Sequence, residues 1–219
     1  MYNKNLVQAL YQDENVNILS LSNKNNESYF ESINIPFYAV KPPNSFLYRL
    51  SRTTFLRKVY RYLIDWNISS KFAQFLKTHD TSVIEFMDIH SEAYSYLKQN
   101  PKTSRKTKVV IRSHTPWGLL KNTYLPEEVE FNDTWNAFEK EKFCFEKCDA
   151  ITTPSEDLKC EIIELYHIHP DKIIVIPNLV DSNHFKPYED EINNKIGFKI
   201  LHVGRFERPK GVETLTKAF

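Results

Sequence analysis

Short apolar segments alternate along this chain with longer segments in which apolar residues recur at helical spacing. The apolar runs predict strands at residues 16–19, 33–39, 82–86, 109–111, 150–152, 173–176 and 200–203. Helical spacing predicts helices at 2–10, 55–76 and 91–99, a long helix that follows Gly118 and runs through Trp135 and Phe145, and helices that open at Ser155 and Gly211. The polar residues 23–28 are predicted to form a loop. Alternation of strands and helices predicts an α/β fold, a Rossmann-like parallel sheet with helices on both faces.

Parallel sheets of this kind bind ligands beyond the carboxyl ends of their strands. That rule selects four candidate positions in the sequence: Asp88 with His90, His114, the Thr153–Ser155 turn, and Gly204–Lys210. The sequence has no G-x-G-x-x-G after a strand, which argues against a dehydrogenase-type dinucleotide site.

Size and charge restrict the class of protein further. The chain has 219 residues, 41% hydrophobic and 26% charged, with a formal net charge of +1. This length accommodates one domain and the start of another. A near-neutral charge argues against general nucleic-acid binding. No apolar run approaches the roughly 18 residues that span a bilayer, and no signal peptide is visible near Met1. With only three cysteines, a reducing cytoplasm is the simplest setting.

Several polar residues favour structural roles over catalysis or metal binding. Cys144 and Cys148 lie one helical turn apart without a third ligand at suitable spacing, so we expect buried thiols and not a metal site. Ser155 lacks a base at suitable spacing and is predicted to cap a helix. His167 and His169 flank a predicted helix end and are expected to be exposed.

The helix predicted at 55–76 leaves two interpretations open. Its apolar residues fall on one face, and Arg57, Lys58 and Arg61 fall on another. The helix either packs on the sheet with a solvated basic face, or lies on an anionic membrane at the inner face.

The last residues of the chain form the strongest candidate ligand site. A short apolar strand, Ile200–Val203, leads to Gly204, and Gly211 opens a helix. Between the two glycines lies a basic loop with Arg205, Arg208 and Lys210, of which Arg208 is expected to be only a solvated neighbour. Cations and free backbone N–H groups in such a loop favour a phosphate-bearing ligand.

Three sequence blocks carry a resemblance to a known family. They read C-D-A-I-T-T-P-S-E-D-L-K at 148–159, D-K-I-I-V-I-P-N-L-V-D-S-N-H-F-K-P at 171–187 and G-R-F-E-R-P-K-G-V-E-T-L-T-K-A-F at 204–219. In this order they resemble the retaining glycosyltransferases of family 4, whose GT-B fold contains two Rossmann-like domains. The close resemblance covers roughly residues 80–219.

The resemblance implies a domain organisation. Residues 1–181 would form an N-terminal, acceptor-side Rossmann-like domain, residues 182–197 the crossover, and residues 198–219 the start of a C-terminal nucleotide-sugar domain. The activity implied is transfer of a sugar from a nucleotide diphosphate-sugar to an acceptor, with retention of configuration.

It also implies roles for individual residues on the donor side. Gly204, Arg205, Lys210 and Gly211 would bind the donor diphosphate, and no metal or cofactor is implied because the two cations take that part. His114 would face the donor sugar or its phosphate; the alternative is a structural histidine that holds its loop.

On the acceptor side the implied assignments are looser. Asp88 and His90 would face a saccharide or lipid-linked acceptor, with Asp88 orienting a hydroxyl as a general base would. The alternative that the residues favour is that Asp88 caps the following helix.

The sequence departs from the family pattern in several places. Leu179 stands where the family usually has glycine, and the downstream E-x7-E motif is absent. No strand and glycine loop precede the helix at residues 2–10, so we expect an N-terminal truncation or a misassigned start codon. The chain is therefore expected to be an inactive, marginally stable fragment. The alternative is a non-catalytic half that binds an acceptor or a partner chain.

Overall fold

The structure is a computed structural model. It describes residues 18–21, 24–40, 54–88, 91–121, 136–180, 182, 200–204 and 210–218. Within these ranges the strands are β1 Ile18–Leu21, β2 Phe37–Val40, β3 Val83–Met87, β4 Lys108–Arg112, β5 Ala150–Thr153 and β6 Ile173–Val175. The helices are α1 Lys24–Ser32, α2 Thr54–Thr78, α3 Tyr94–Gln99, α4 Trp117–Leu120, α5 Ala137–Lys147, α6 Glu156–Tyr166 and α7 Val212–Ala218.

The described strands form parallel pairs throughout. β3, β4, β5 and β6 make a four-stranded sheet in that order, and β1 pairs with β2. Met87 lies opposite Arg112, and Arg112 opposite Thr152, so three neighbouring strands end at the same edge. The predicted Rossmann-like α/β fold with a parallel sheet is confirmed.

The main core forms where helices cover this four-stranded sheet. Ile151, Thr152 and Thr153 are consecutive in β5 and all buried, so both faces of this central strand are covered. Its isoleucine and two threonines, all β-branched, favour a strand, which is why β5 was visible in the sequence. On α6, Leu158, Ile162 and Tyr166 are buried at helical spacing.

Helix α2 packs against both groups of strands through its second half. Phe72 contacts Phe86 of β3 with ring centroids 5.2 Å apart, and Phe75 contacts Tyr38 of β2 at 4.8 Å. In the first half, the side chains of Val59 and Trp66 are 37% and 57% exposed. Packing on the strands is thus shown for the second half only. In the first half, which carries Arg57, Lys58 and Arg61, part of the apolar face is uncovered, and the two interpretations of that half both stay predictions.

Several sequence predictions about elements need correction. Residues 24–32 form helix α1 and not a loop, because Phe30 is buried and stacks on Phe37 at 5.3 Å. In place of one long helix after Gly118, the described residues form the short helix α4 and a separate helix α5, which begins after Asn136, a residue with φ +56°. The predicted helix at residues 2–10 lies outside the described residues.

The predicted strand at residues 200–203 is also wrong. Leu201 and Val203 are 86% and 85% exposed, and no strand of the described residues pairs with them. A strand needs a neighbour for its backbone hydrogen bonds, and apolar sequence alone does not supply one. The helix that Gly211 opens is confirmed as α7.

Asp149 stabilises the amino-terminal edge of the four-stranded sheet, where β4 and β5 begin. Its Oδ2 accepts hydrogen bonds from Arg105 Nη2 at 2.7 Å and from Val109 N at 2.9 Å. Burial alone would raise the pKa of this carboxyl, but the bonds from Arg105 and Val109 outweigh burial and lower the pKa to about 2. A charged, structural anchor therefore lies where β4 and β5 begin.

Candidate active site

The loop that follows β4 carries His114 and is held by Asp88. Asp88 Oδ2 accepts hydrogen bonds from Ser113 Oγ at 2.8 Å, His114 N at 3.0 Å and Thr115 N at 3.1 Å. Because Met87 pairs with Arg112, the residue after each strand lies beside the other. The structure thus brings two predicted site residues, Asp88 and His114, into direct contact.

The prediction that Asp88 caps the following helix is wrong. Helix α3 has Ala93 at its N-cap, without a side-chain capping bond. The Asp88 side chain is 4% exposed and turns instead to the neighbouring loop. Burial raises the pKa of Asp88, and the bonds from Ser113, Thr115 and His114 oppose that rise. Its acceptor-side role stays a prediction, and His90 lies outside the described residues.

His114 is half-buried at the carboxyl edge of the sheet. Burial lowers the pKa of its imidazole, the positive charge of Arg112 lowers it further, and the negative charge of Asp88 opposes both. A lowered pKa keeps the ring neutral near neutral pH, where it has one donor and one acceptor nitrogen. Such a ring can bind a sugar hydroxyl or a phosphate oxygen without carrying charge.

Arg112 connects this edge to the segment after β6, and the sequence did not reveal it. Its side chain is 1% exposed, and Nη2 donates to Ile176 O at 2.7 Å and to Asn178 Oδ1 at 2.9 Å. The only sign of it in the sequence was an arginine at the end of an otherwise apolar strand.

Leu179, which stands where the family usually has glycine, is 43% exposed and does not have a positive φ. Its backbone is therefore outside the left-handed region, and leucine is not strained at this position.

A second buried carboxylate, Glu141 of α5, supports the same loop from its other end. Glu141 Oε1 accepts from Trp117 N at 2.7 Å, and Oε2 accepts from Gly118 N at 3.0 Å and from the hydroxyl of Tyr166. The sequence contained one indication of this role, because Glu141 lies at helical spacing from Cys144 and Cys148, which were expected to be buried. All three residues are buried in the structure.

The basic loop is described only in part. Gly204 and Lys210 are exposed, and Gly211 has φ +67°, a left-handed conformation that glycine adopts without strain. Gly211 O accepts from Leu215 N at 2.9 Å in the first turn of α7. Arg205 and Arg208 lie outside the described residues, so the diphosphate assignment stays a prediction.

The remaining polar residues have structural roles where they are described. Ser155 Oγ accepts from Leu158 N at 3.3 Å, which confirms the helix cap. Cys144 and Cys148 are buried as predicted, and burial raises the pKa of both thiols, that of Cys148 to about 11. His167 and His169 are exposed, as expected.

Two negative findings concern only the described part of the chain. There, the His, Cys, Asp and Glu side chains form no group of three that could hold a metal ion. In the same residues, no helix is both long enough and apolar enough to cross a bilayer.

Comparison with known proteins identifies a family for most of the chain. A search of curated proteins found no match to the chain. The sequence profile described as Glycosyltransferase Family 4 matches residues 2–184, which is most of the chain and includes β1 to β6. The matched segment carries both Asp88 and the His114 loop. The chain therefore belongs to glycosyltransferase family 4 and contains a glycosyltransferase domain of that family.

Proposed function

We propose that the complete protein transfers a sugar from a nucleotide diphosphate-sugar to a saccharide or lipid-linked acceptor, with retention of configuration. The observation that carries the proposal is the His114 loop at the carboxyl edge of a parallel sheet, within the segment that matches the family. Loops at this edge are where open α/β sheets bind ligands. The neutral, half-buried imidazole of His114 suits contact with the donor sugar or its phosphate.

The donor diphosphate would bind at the second domain. In this proposal Gly204 and Gly211 flank the loop, and Arg205 and Lys210 neutralise the charge that the leaving diphosphate gains. Such fixed cations stabilise the leaving group without a metal ion. The proposed boundaries are an acceptor-side domain at 1–181, a crossover at 182–197 and the donor domain from 198, in a cytoplasmic enzyme.

Turnover of purified full-length enzyme with a panel of nucleotide sugars tests the proposal. We expect one donor to be consumed only when a saccharide or lipid-linked acceptor is present, with activity unchanged by a chelator. The anomeric configuration of the product, followed by proton NMR, should match that of the donor. Binding of an acceptor without consumption of any donor would instead identify the non-catalytic binding protein, and inversion would contradict retention.

A peripheral membrane contact is a second proposal, favoured by the first half of α2. Val59 and Trp66 lie seven residues apart on this helix and both are exposed. The sequence places Arg57, Lys58 and Arg61 in the same helix. Exposed apolar side chains in a basic helix suit an anionic lipid surface, which would bring the enzyme to a lipid-linked acceptor.

Co-sedimentation with vesicles tests this contact. We expect binding to anionic vesicles that weakens steeply as salt rises, and negligible binding to neutral vesicles. Replacing Arg57, Lys58 and Arg61 together by glutamine should weaken binding roughly 100-fold, at about 1 kcal/mol for each charge near the surface. Trp66→Ser tests the apolar part, and Lys159→Gln on α6 is the control. Equal, negligible binding to both vesicle types would contradict the membrane contact and favour a helix that only packs on the sheet with a solvated basic face.

A further inference from the structure

Two buried carboxylates hold the His114 loop, one at each end. Asp88 binds the backbone at His114 and Thr115, and Glu141 binds it at Trp117 and Gly118. Asp88 reaches the loop from the end of β3, and Glu141 reaches it from helix α5. The side chains of Asp88 and Glu141 are only 4% and 3% exposed.

These contacts account for the backbone donors of the whole loop. Ser113 N donates to Thr152 O at 2.8 Å, and the next two N–H groups go to Asp88. Pro116 has no N–H, and the two residues after it donate to Glu141. No backbone N–H between 113 and 118 is left to form an anion-binding nest. A phosphate of a donor ligand at this loop would therefore be bound by side-chain donors, among which His114 has the suitable chemistry.

Tyr166 of α6 completes the support at Glu141. Its ring is 1% exposed and stacks against Phe138 with centroids 5.2 Å apart, which fixes the direction of its hydroxyl. That hydroxyl donates to Glu141 Oε2 and accepts from Gly118 N at 3.0 Å. The Glu141 carboxylate is thus held in place by a tightly packed side chain. Through its hydrogen bonds to Trp117 N and Gly118 N, the carboxylate in turn restrains the loop.

We propose that Glu141, oriented by Tyr166, is a positioning residue that fixes the far end of the His114 loop and so sets where the imidazole is presented to the ligand. The ligand-binding part of this inference rests on the proposed function. The positioning part concerns the loop alone. Glu141 has no route to the ligand in this scheme, because both of its oxygens are engaged by the protein.

The charge of Glu141 should control how firmly the loop is held. Burial raises the pKa of Glu141 to about 7, against the opposing hydrogen bonds from Tyr166, Gly118 and Trp117. The carboxylate accepts from three donors; once protonated, one of its oxygens becomes a donor and those contacts compete. Other titratable or charged groups lie on the elements around it: Tyr166 on α6, Asp88 at the end of β3, Cys144 and Lys140 on α5, and Tyr94 on α3. Helix α4 has no titratable side chain.

An NMR titration of the full chain tests the inference. The backbone amides of Trp117 and Gly118 and the ring of His114 are followed from acid to alkaline pH. In the wild type, the His114 ring should show, besides its own titration, a second inflection near pH 7, where Glu141 ionises. Glu141→Gln should remove that inflection and shift both amides, because a carboxamide has one acceptor oxygen for three donors. The exposed Glu139 on the same helix supplies the control, Glu139→Gln.

A second variant covers the case in which Glu141→Gln fails to fold. Tyr166→Phe keeps the carboxylate and removes only the hydroxyl, so the inflection should move in pH but persist. If the His114 ring titrates identically in the wild type and in whichever variant folds, the inference is overturned. Glu141 would then only cap the first two backbone N–H groups of helix α4. This result is separable from the proposed function, since turnover of nucleotide sugars by the complete enzyme is measured independently. If the His114 ring responds to the ionisation of Glu141 but the complete protein turns over no nucleotide sugar, the positioning role of Glu141 stands and the proposed enzymatic function is contradicted.

Discussion

Replacing Gly118 by alanine should destabilise the fold by about 2–4 kcal/mol, because the new methyl group overpacks a closed site and displaces hydrogen bonds. A Cβ at this position would overlap the hydroxyl of Tyr166 and lie 2.9 Å from both Leu165 Cδ2 and Phe138 Cδ2. The Tyr166 ring cannot retreat, since it also packs edge-on against Phe145 at 5.0 Å. The displaced bonds are those that join Gly118, Tyr166 and Glu141.

Chemical denaturation measures this effect as a lower midpoint at an unchanged slope. Gly204→Ala is the matched control, since the atoms nearest to its Cβ would be His202 Nε2 at 3.4 Å and Lys210 Cβ at 4.0 Å, both ordinary contacts. That variant should change the free energy of unfolding by less than about 0.5 kcal/mol. Equal midpoints for Gly118→Ala and the wild type would show that the site under the His114 loop is looser than the structure indicates.

The four-stranded sheet was largely predictable from the sequence, most clearly at its central strands β4 and β5, which are mostly buried. The predicted strands at 82–86, 109–111 and 150–152 correspond to β3, β4 and β5, and no predicted boundary differs from the observed one by more than one residue. These strands combine apolar and β-branched residues with turn residues at their ends, so the signal is strong and local. The Ser155 cap was predictable for the same reason, since capping depends on residues within one turn.

Elements with weak local signals were missed or misassigned. The segment 24–32 is rich in Asn, Ser, Lys and Glu, and its helix depends on Phe30, which stacks on a strand that follows it. The apolar residues 200–203 show the converse, a strong local signal that no neighbouring strand completes within the described residues. In both cases tertiary contacts decide, and a single sequence does not contain them.

The same limit applies to the candidate site. The sequence identified Asp88 and His114 by their positions after strands, but their contact follows from the pairing of Met87 with Arg112. Glu141 and Tyr166 reach the His114 loop from helices far along the chain, so their role required the packing of α5 and α6. A glutamate in a helix is normally expected to be exposed to solvent. Only apolar residues at helical spacing from it indicate that it lies on the buried face.

In the full-length enzyme, Arg205→Ala and Lys210→Ala should each reduce turnover by about 30- to 1000-fold, which corresponds to about 2–4 kcal/mol of transition-state stabilisation. Each substitution removes a cation whose interaction strengthens as the leaving diphosphate gains charge. The loss should therefore fall on turnover at least as much as on donor affinity. Melting temperature should barely change for Lys210→Ala, because Lys210 is exposed and its removal leaves no core cavity.

Arg208→Ala is the internal control, because Arg208 is expected to be a solvated neighbour of the same loop. Its turnover should stay within a few-fold of wild type, and the two test variants should differ from it in kinetics and not in folding. Steady-state kinetics with the preferred donor, combined with thermal melts of the variants, separate these effects. Turnover near that of the wild type in both Arg205→Ala and Lys210→Ala would remove the diphosphate assignment, and with it the main physical argument for a nucleotide diphosphate-sugar donor.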